Sequence, residues 1–181
     1  PAPTLLDFAL YLAFFPQLVA GPIVRASVLL PQLVRPAPVT RLDVGRATIL
    51  ILVGIFKKIV IASYLGNNLV DPVFMDPSAY GTLDVMLAIH GYTIQVYCDF
   101  SAYSDIAIGV ALLMGIHFPI NFNAPYFAVT LGEYWRRWHI SLSSWLRDYI
   151  YFPLGGSRGS NVRTSVNLIT VFLLCGLWHG A

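Results

Sequence analysis

Charged residues are scarce in this sequence. Asp, Glu, Lys and Arg together make up 11% of its 181 residues, against roughly a quarter in ordinary soluble domains. Hydrophobic residues make up 57%, so the composition excludes a typical soluble domain and predicts a membrane protein. The net charge is only +2, and the basic residues lie in short clusters between apolar segments rather than in one patch. Nucleic acid is therefore excluded as a partner.

Cysteine is also rare, and no known metal or nucleophile signature is present. Cys98 and Cys175 both lie within apolar segments, which is typical of small buried hydrophobic residues rather than of a disulfide framework. The sequence contains no serine-triad motif, phosphate-binding loop or HExxH signature, and its histidines and aspartates lack metal-ligand spacing. We predict no metal site and no nucleotide hydrolysis.

The sequence lacks an initiating Met and a signal-peptide pattern. It opens with Pro1-Ala2-Pro3 and stops at Ala181, directly after an apolar segment. Neither end resembles the boundary of a complete membrane protein. We therefore expect the chain to be part of a longer protein.

What the sequence does have is long apolar segments. A membrane-spanning helix needs about 20 mostly apolar residues, because the hydrocarbon core is about 30 Å thick. The sequence contains five apolar segments, several of which approach that length: Leu5–Val24, Ala47–Leu65, Thr82–Cys98, Ser101–Phe118 and Val166–Trp178. They predict an all-α, multi-pass membrane fold. Pro16 and Pro22 predict a bent or re-entrant helix in the first segment.

Arginine distribution predicts the membrane orientation, but it conflicts with the number of segments. The arginine-rich, proline-broken connection Arg25–Arg46 favours the cytoplasm, and Gly66–Tyr80, without Lys or Arg, favours the outside. Counting crossings then places Asn121 onward outside, although several later arginines favour the cytoplasm. A re-entrant element would resolve the conflict, since irregular backbone is tolerated at membrane depth where protein or water lines it.

Polar residues lie within one of these segments and between two others. Lys57 and Lys58 fall near the middle of the second segment, where each side chain either snorkels to the interface or faces a polar interior. A polar cluster also separates the third segment from the fourth, where we predict a helix junction and helix-capping roles. Its residues are Asp99, Ser101, Ser104 and Asp105.

Thr130–Arg147 has the spacing of one amphipathic helix. One predicted face carries Trp135, Trp138, Leu142 and Trp145, and the opposite face carries Arg136, His139, Ser143 and Arg147. Glu133 can pair with Arg137 four residues later. Such a helix either lies at the membrane interface, with His139 as an ordinary polar-face residue, or forms the wall of a cavity. After it, the Pro153 and Gly155-Gly156 positions predict a tight turn.

His179 ends the last apolar segment. An ionisable residue at membrane depth is a functional hypothesis by default, and histidine suits acyl transfer because its ordinary pKa of about 6.5 lets it accept and return a proton near neutral pH. A structural histidine is the alternative, and the spacing does not decide between them. His90, Gln95 and His117 are more typical of hydrogen bonding between helices.

Several motifs together resemble the membrane-bound O-acyltransferase family. They are Tyr97–Asp105, Glu133–Ser143 and Gly176–Gly180, with Phe14–Gln17 and Ala20–Arg25 earlier in the chain. Asp148–Gly156 is most similar to the bacterial alginate O-acetyltransferase branch, rather than to the D-alanyl transferases of teichoic acid. By this resemblance, His179 matches the family's proposed catalytic histidine and His139 matches its second histidine.

The resemblance also implies a fold and a location. It implies a ring of membrane helices around a central tunnel in the bacterial inner membrane, with residues 1–181 forming part of a single membrane domain. The first and last helices of that domain would be missing from this chain.

The resemblance further implies a reaction. Acetyl-coenzyme A would be the cytoplasmic donor, with no permanently bound cofactor and no cofactor-binding residue identified. His179 would act as general base, and His139 would position a reactant or support the tunnel. The expected partners are the lipid bilayer and either an exported polysaccharide such as alginate or a periplasmic acetylation partner protein.

Other functions stay open on the sequence. Within enzymes, the chain could transfer D-alanine to teichoic acid, or acetyl to peptidoglycan or cellulose. A transporter or proton channel would use intramembrane ionisable residues as relay groups; the candidates are His90, His179, Lys57 and Lys58. A non-catalytic scaffold for polymer export would tolerate replacement of His179.

Overall fold

The described residues, 4–18 and 20–180 of a computed structural model, are helices joined by turns, with no β-strand among them. The predicted all-α membrane fold is confirmed, because three of the helices are long and apolar enough to span a bilayer: Arg41–Met75, Thr82–Leu113 and Asn161–His179. The chain forms two compact units, one ending at Asn121 and the other beginning at Phe122. That residues 1–181 belong to a single domain stays a prediction.

The described residues of the first unit form helices α1 (Leu5–Ala13), α2 (Ala26–Val34), α3 (Arg41–Met75) and α4 (Thr82–Leu113). Short 3₁₀ turns lie at Phe15–Gln17 and Pro77–Ala79. Thr4 and Thr40 cap α1 and α3 by accepting hydrogen bonds from the backbone three residues later, which satisfies N–H groups that have no partner within the helix.

Proline interrupts the first part of the chain near the predicted position. Helix α1 ends at Ala13, and Pro16 lies in the short 3₁₀ turn that follows. The Tyr11 hydroxyl donates to the Val24 carbonyl at 3.1 Å, so Val24 lies back beside α1 and the bend predicted for Leu5–Val24 is confirmed. The irregular connection predicted for Arg25–Arg46 is confirmed only between the helices, where Pro36 and Pro38 lie in the non-helical residues 35–40. Residues 26–34 are helical with Pro31 inside the helix, which removes only one main-chain hydrogen bond.

Helix α3 is longer than the predicted span Ala47–Leu65. It begins at Arg41 and reaches Met75, so the predicted outside loop Gly66–Tyr80 is reduced to the few residues after the helix. Two π-helical segments, Lys57–Ala62 and Gly66–Val70, lie within it. They are turns in which the hydrogen bonds reach one residue further than in an α-helix, an arrangement frequent at functional sites.

Helix α4 is a single helix of 32 residues, about 48 Å long at 1.5 Å per residue. The predicted division into Thr82–Cys98 and Ser101–Phe118 is therefore wrong, as are the capping roles of the polar cluster between them. Asp99 and Asp105 lie inside the helix and pair with Lys58 and Lys57 of α3. Because each carboxylate has a cationic partner on the neighbouring helix, the polar cluster does not need to leave the membrane region.

The continuous α4 removes the conflict between crossing number and arginine distribution. The chain now leaves α4 on the side from which it entered α3: the Ala37 amide donates to the Gly115 carbonyl at 3.1 Å. The Gln32 side chain accepts from the His117 amide at 2.7 Å and donates to its carbonyl at 3.3 Å. The conflict arose from counting α4 as two crossings.

Close helix contact and a small apolar core hold the first unit together. Gly54 of α3 and Gly109 of α4 lie where an added Cβ would come within 2.6–2.9 Å of the facing helix, so glycine permits the helices to approach. A buried apolar cluster lies in the same unit: Phe14, Val24, Leu29, Ile108, Ala111, Ile116 and Phe118.

The second unit contains helices α5 (Leu131–Arg137), α6 (Ile140–Leu146) and α7 (Asn161–His179). A π-helical turn, Arg147–Tyr151, extends α6. The predicted tight turn is confirmed, because Gly155 and Gly156 have φ values of 103° and 57°. The Asn167 side chain of α7 donates to the carbonyls of Leu154 and Gly156 at 3.3 and 2.9 Å, which fixes α7 against this turn.

Candidate active site

The tryptophan-rich segment is broken at His139. The single amphipathic helix predicted for Thr130–Arg147 is wrong: α5 ends at Arg137, and His139 has φ 41° and ψ 55° before α6 begins. This left-handed conformation is uncommon for a residue with a side chain, although histidine adopts it more often than most. The two predicted faces therefore do not continue from α5 into α6, and His139 lies at the corner between them.

A hydrogen-bonded network ends α5 next to this corner. The predicted pair is confirmed, since Arg137 Nε and Nη2 both donate to Glu133 Oε1, at 3.0 and 2.7 Å. Glu133 Oε2 accepts from the Val129 amide at 3.1 Å. These hydrogen bonds, the Val129 amide first and the Arg137 guanidinium second, hold the pKa of Glu133 below its usual value. Glu133 therefore stays ionised at neutral pH.

An aromatic ring packs beside His139. The Phe122 ring lies nearly parallel to the imidazole, with centroids 6.4 Å apart and 15° between planes. The same ring meets Trp138 edge-on at 5.0 Å. The His139 residue is only 6% exposed, so its imidazole lies in an apolar environment.

Burial changes the ionisation of His139. The pKa of the imidazole is lowered to about 4. Burial is the larger cause, and the positive charge that His179 can carry is the smaller one. His139 is therefore neutral at pH 7. The second unit thus brings the two sequence-predicted site residues near enough for a charge on His179 to act on His139.

His179 is the last residue of α7 and is exposed. Its Nδ1 lies 2.8 Å from the Cys175 carbonyl oxygen, and because a carbonyl only accepts, Nδ1 carries the proton of the neutral ring. The lone pair is consequently on Nε2. Gly180 follows with φ 79° and ends the helix in the left-handed conformation that favours glycine, so α7 stops where the imidazole is presented.

Aromatic packing joins the two histidine-bearing parts of this unit. The Trp135 ring of α5 meets the Phe172 ring of α7 edge-on, with centroids 5.3 Å apart. Trp178 meets the His179 ring at 4.7 Å and nearly perpendicular. Phe122 lies beside His139 but outside every motif with helical spacing, so no signal in the sequence indicated that it belongs to the site.

The remaining polar candidates are placed differently. His90 Nδ1 donates to the Met86 carbonyl of its own helix at 2.8 Å, so the predicted bond between helices is wrong for this nitrogen. His117 is exposed, and its main chain, not its ring, bonds Gln32. Over residues 4–18 and 20–180, no three His, Cys, Asp or Glu side chains form a group that could hold a metal.

Comparison with known proteins assigns the chain to a family. The sequence pattern of the membrane-bound O-acyltransferase family matches residues 2–181. The chain belongs to this family. The match confirms the resemblance found in the motifs around Asp99, His139 and His179. The catalytic roles of the two histidines, by contrast, stay predictions.

Individual relatives are similar over almost the whole chain. The chain is 47% identical over 180 residues to the probable alginate O-acetylase AlgI of Pseudomonas aeruginosa, covering 98% of this chain and 34% of that protein. It is 42% identical to the peptidoglycan O-acetyltransferase of Helicobacter pylori, covering 97% and 34%. It is 30% identical to the teichoic acid D-alanyltransferase of Streptococcus thermophilus, covering 98% and 46%. The chain thus spans about a third of the length of the first two relatives.

Proposed function

We propose that the protein containing this chain transfers an acetyl group from acetyl-coenzyme A, on the cytoplasmic side of a bacterial inner membrane, to hydroxyls of an exported polysaccharide such as alginate. Family membership and the names of the more similar relatives support this reaction. The observation that carries the assignment of His179 is its hydrogen bond to the Cys175 carbonyl, because it leaves Nε2 as the basic nitrogen.

The proposed mechanism uses His179 as a general base. Its Nε2 accepts the proton of the acceptor hydroxyl as the hydroxyl oxygen attacks the thioester carbonyl carbon. The carbon–sulfur bond then breaks, and the coenzyme A thiolate takes the proton back from Nε2. The imidazole is regenerated with its Nδ1 proton still held by Cys175, so one acyl ester and one thiol form from one thioester and one hydroxyl.

His139 has a different proposed role. A buried imidazole with a pKa of about 4 does not accept a proton permanently at neutral pH, so it suits hydrogen bonding to a reactant rather than general-base work. We therefore assign proton transfer to His179 and positioning of a reactant to His139.

The direct acceptor is either the polysaccharide itself or a periplasmic partner protein that completes acetylation. Acetyl is favoured over D-alanine as the transferred group, because identity is 47% and 42% to the two acetyl-transferring relatives and 30% to the D-alanyltransferase. A transporter and an export scaffold are the alternatives from other classes.

The deciding experiment measures polymer-linked acetyl in cells carrying the complete protein. Wild type is compared with His179→Ala and His179→Gln, and His117→Gln is the matched control because that ring is exposed and its residue bonds only through the main chain. We expect both His179 variants to lose acetylation at unchanged membrane abundance and the control to retain it. Acetylation that persists in His179→Ala would instead favour a scaffold or transport role.

A further inference from the structure

We propose that Arg137 is the positioning residue for His139: it joins the end of α5 to the Asn123 backbone and so holds the Phe122 ring on the imidazole. That His139 matters for catalysis rests on the proposed function. The arrangement of Arg137, Asn123 and Phe122 is independent of that function. Its test can therefore succeed or fail separately.

The first observation is that Arg137 is held from both sides. Its guanidinium makes two hydrogen bonds to Glu133 within α5 and a third, from Nη1 to the Asn123 carbonyl, at 3.3 Å. The Arg137 carbonyl also accepts from the Asn123 amide at 2.9 Å. Side chain and main chain of one arginine thus fix the same residue of the preceding segment.

The second observation is the position of Phe122 beside that clamped residue. Because Asn123 is fixed to Arg137, its neighbour Phe122 is placed where its ring lies against both Trp138 and His139. Planar guanidinium geometry matters here, because one lysine amine could not reach Glu133 through two nitrogens and the Asn123 carbonyl through a third.

The third observation is that His139 needs to be held. A left-handed conformation is unfavourable for a residue with a Cβ, and the imidazole would be hydrated again if the corner opened. His139 nevertheless has φ 41° and is only 6% exposed. The Phe122 ring, which the Arg137 clamp places, is one of the contacts that keep it there.

Arg136 is the natural control for Arg137. It is the adjacent residue in the same last turn of α5 and has the same charge, but it is exposed and forms no hydrogen bond or ion pair with any described residue. Arg136→Gln therefore removes the same charge without opening the clamp. The comparison separates local electrostatics from positioning.

The experiment measures the reactivity of His139 in the complete protein in membranes. Diethyl pyrocarbonate modifies neutral imidazoles, and peptide mass spectrometry reports the extent at each histidine. In wild type, His139 should be protected relative to exposed His117. We expect Arg137→Gln to raise His139 modification several-fold and to lower polymer acetylation, Arg137→Lys to give an intermediate effect, and Arg136→Gln to leave both unchanged.

A second label distinguishes a local opening from general loosening. Cys98 is 6% exposed and lies in the other unit, so its alkylation by a maleimide should stay low in every variant. The proposal is overturned if Arg137→Gln leaves His139 modification unchanged. It is also overturned if His139 modification and Cys98 alkylation both increase, because the whole protein has then loosened. If His139 modification rises while acetylation continues, the positioning role stands and the catalytic role proposed for His139 fails. If Arg137→Gln does not accumulate, Arg137→Lys and Glu133→Gln give the same comparison.

Discussion

Lys57 of α3 donates a hydrogen bond to the Asp105 carboxylate of α4 at 2.5 Å and a second one to the Ser101 hydroxyl at 2.9 Å. The two charged side chains are 16% and 25% exposed, so this ion pair lies largely within the helix hairpin. Neither residue therefore needs to snorkel to the interface, which was one of the two readings open for Lys57. The next residue of α3, Lys58, forms a second, more exposed pair with Asp99 of α4.

Removing one partner of the Lys57–Asp105 pair should destabilise the hairpin. Lys57→Met leaves the Asp105 carboxylate without its cation, and breaking a buried pair in this way typically costs about 3–5 kcal/mol. Replacing both, in Lys57→Met/Asp105→Leu, should recover much of that loss. Thermal unfolding of the complete protein in detergent measures the effect. Lys58→Met is the control and should have the smaller effect, because its pair is 55% and 48% exposed.

Adding one methyl group at Gly54 should disrupt helix packing. A Cβ there would lie 2.6 Å from the Ile106 side chain and 2.8 Å from the Ala102 carbonyl oxygen, and a backbone atom cannot move aside as a side chain can. We expect Gly54→Ala to lower the unfolding temperature. Gly45→Ala, in the same helix with nothing within 4 Å, should be neutral or stabilising by up to about 1 kcal/mol. Equal behaviour of the two variants would contradict the close contact.

Acid should destabilise the second unit through His139. Its pKa is lowered to about 4 in the folded protein and returns to about 6.5 on unfolding, so the unfolded state binds the proton first. The contribution of neutral His139 to the free energy of unfolding is therefore fully present above about pH 6.5. It falls as the pH drops to about 4 and does not change further below that pH. The whole loss is on the order of 3 kcal/mol. Unfolding measured across this pH range should show a smaller slope in His139→Gln than in wild type or His117→Gln.

The backbone conformation of His139 should restrict its substitutes. At φ 41°, asparagine is tolerated far better than a β-branched residue. We expect His139→Asn to accumulate in membranes near the wild-type level and His139→Val to be clearly depleted, although both lack the imidazole. Similar abundance of the two variants would show that the corner relaxes away from the left-handed conformation. Immunoblots of membrane fractions provide the measurement.

The sequence by itself determined the class of the protein and the identity of its candidate site. Few charges and long apolar segments require helices in a bilayer, because only helices or closed barrels satisfy backbone hydrogen bonds there. The motifs containing His139 and His179 indicated the family. The end of α7 at His179 and the turn at Gly155 also followed from local residue preferences.

Tertiary structure decided where helices continue and where they break. Asp99 and Asp105 looked like a junction because isolated carboxylates are unfavourable at membrane depth, yet partners from α3 keep α4 continuous. The absence of glycine and proline between Gly91 and Gly109 was the signal for an unbroken helix. Conversely, no glycine or proline marks the break at His139. Contacts from Arg137, Asn123 and Phe122 stabilise it, and such contacts between distant residues cannot be deduced from helical spacing alone.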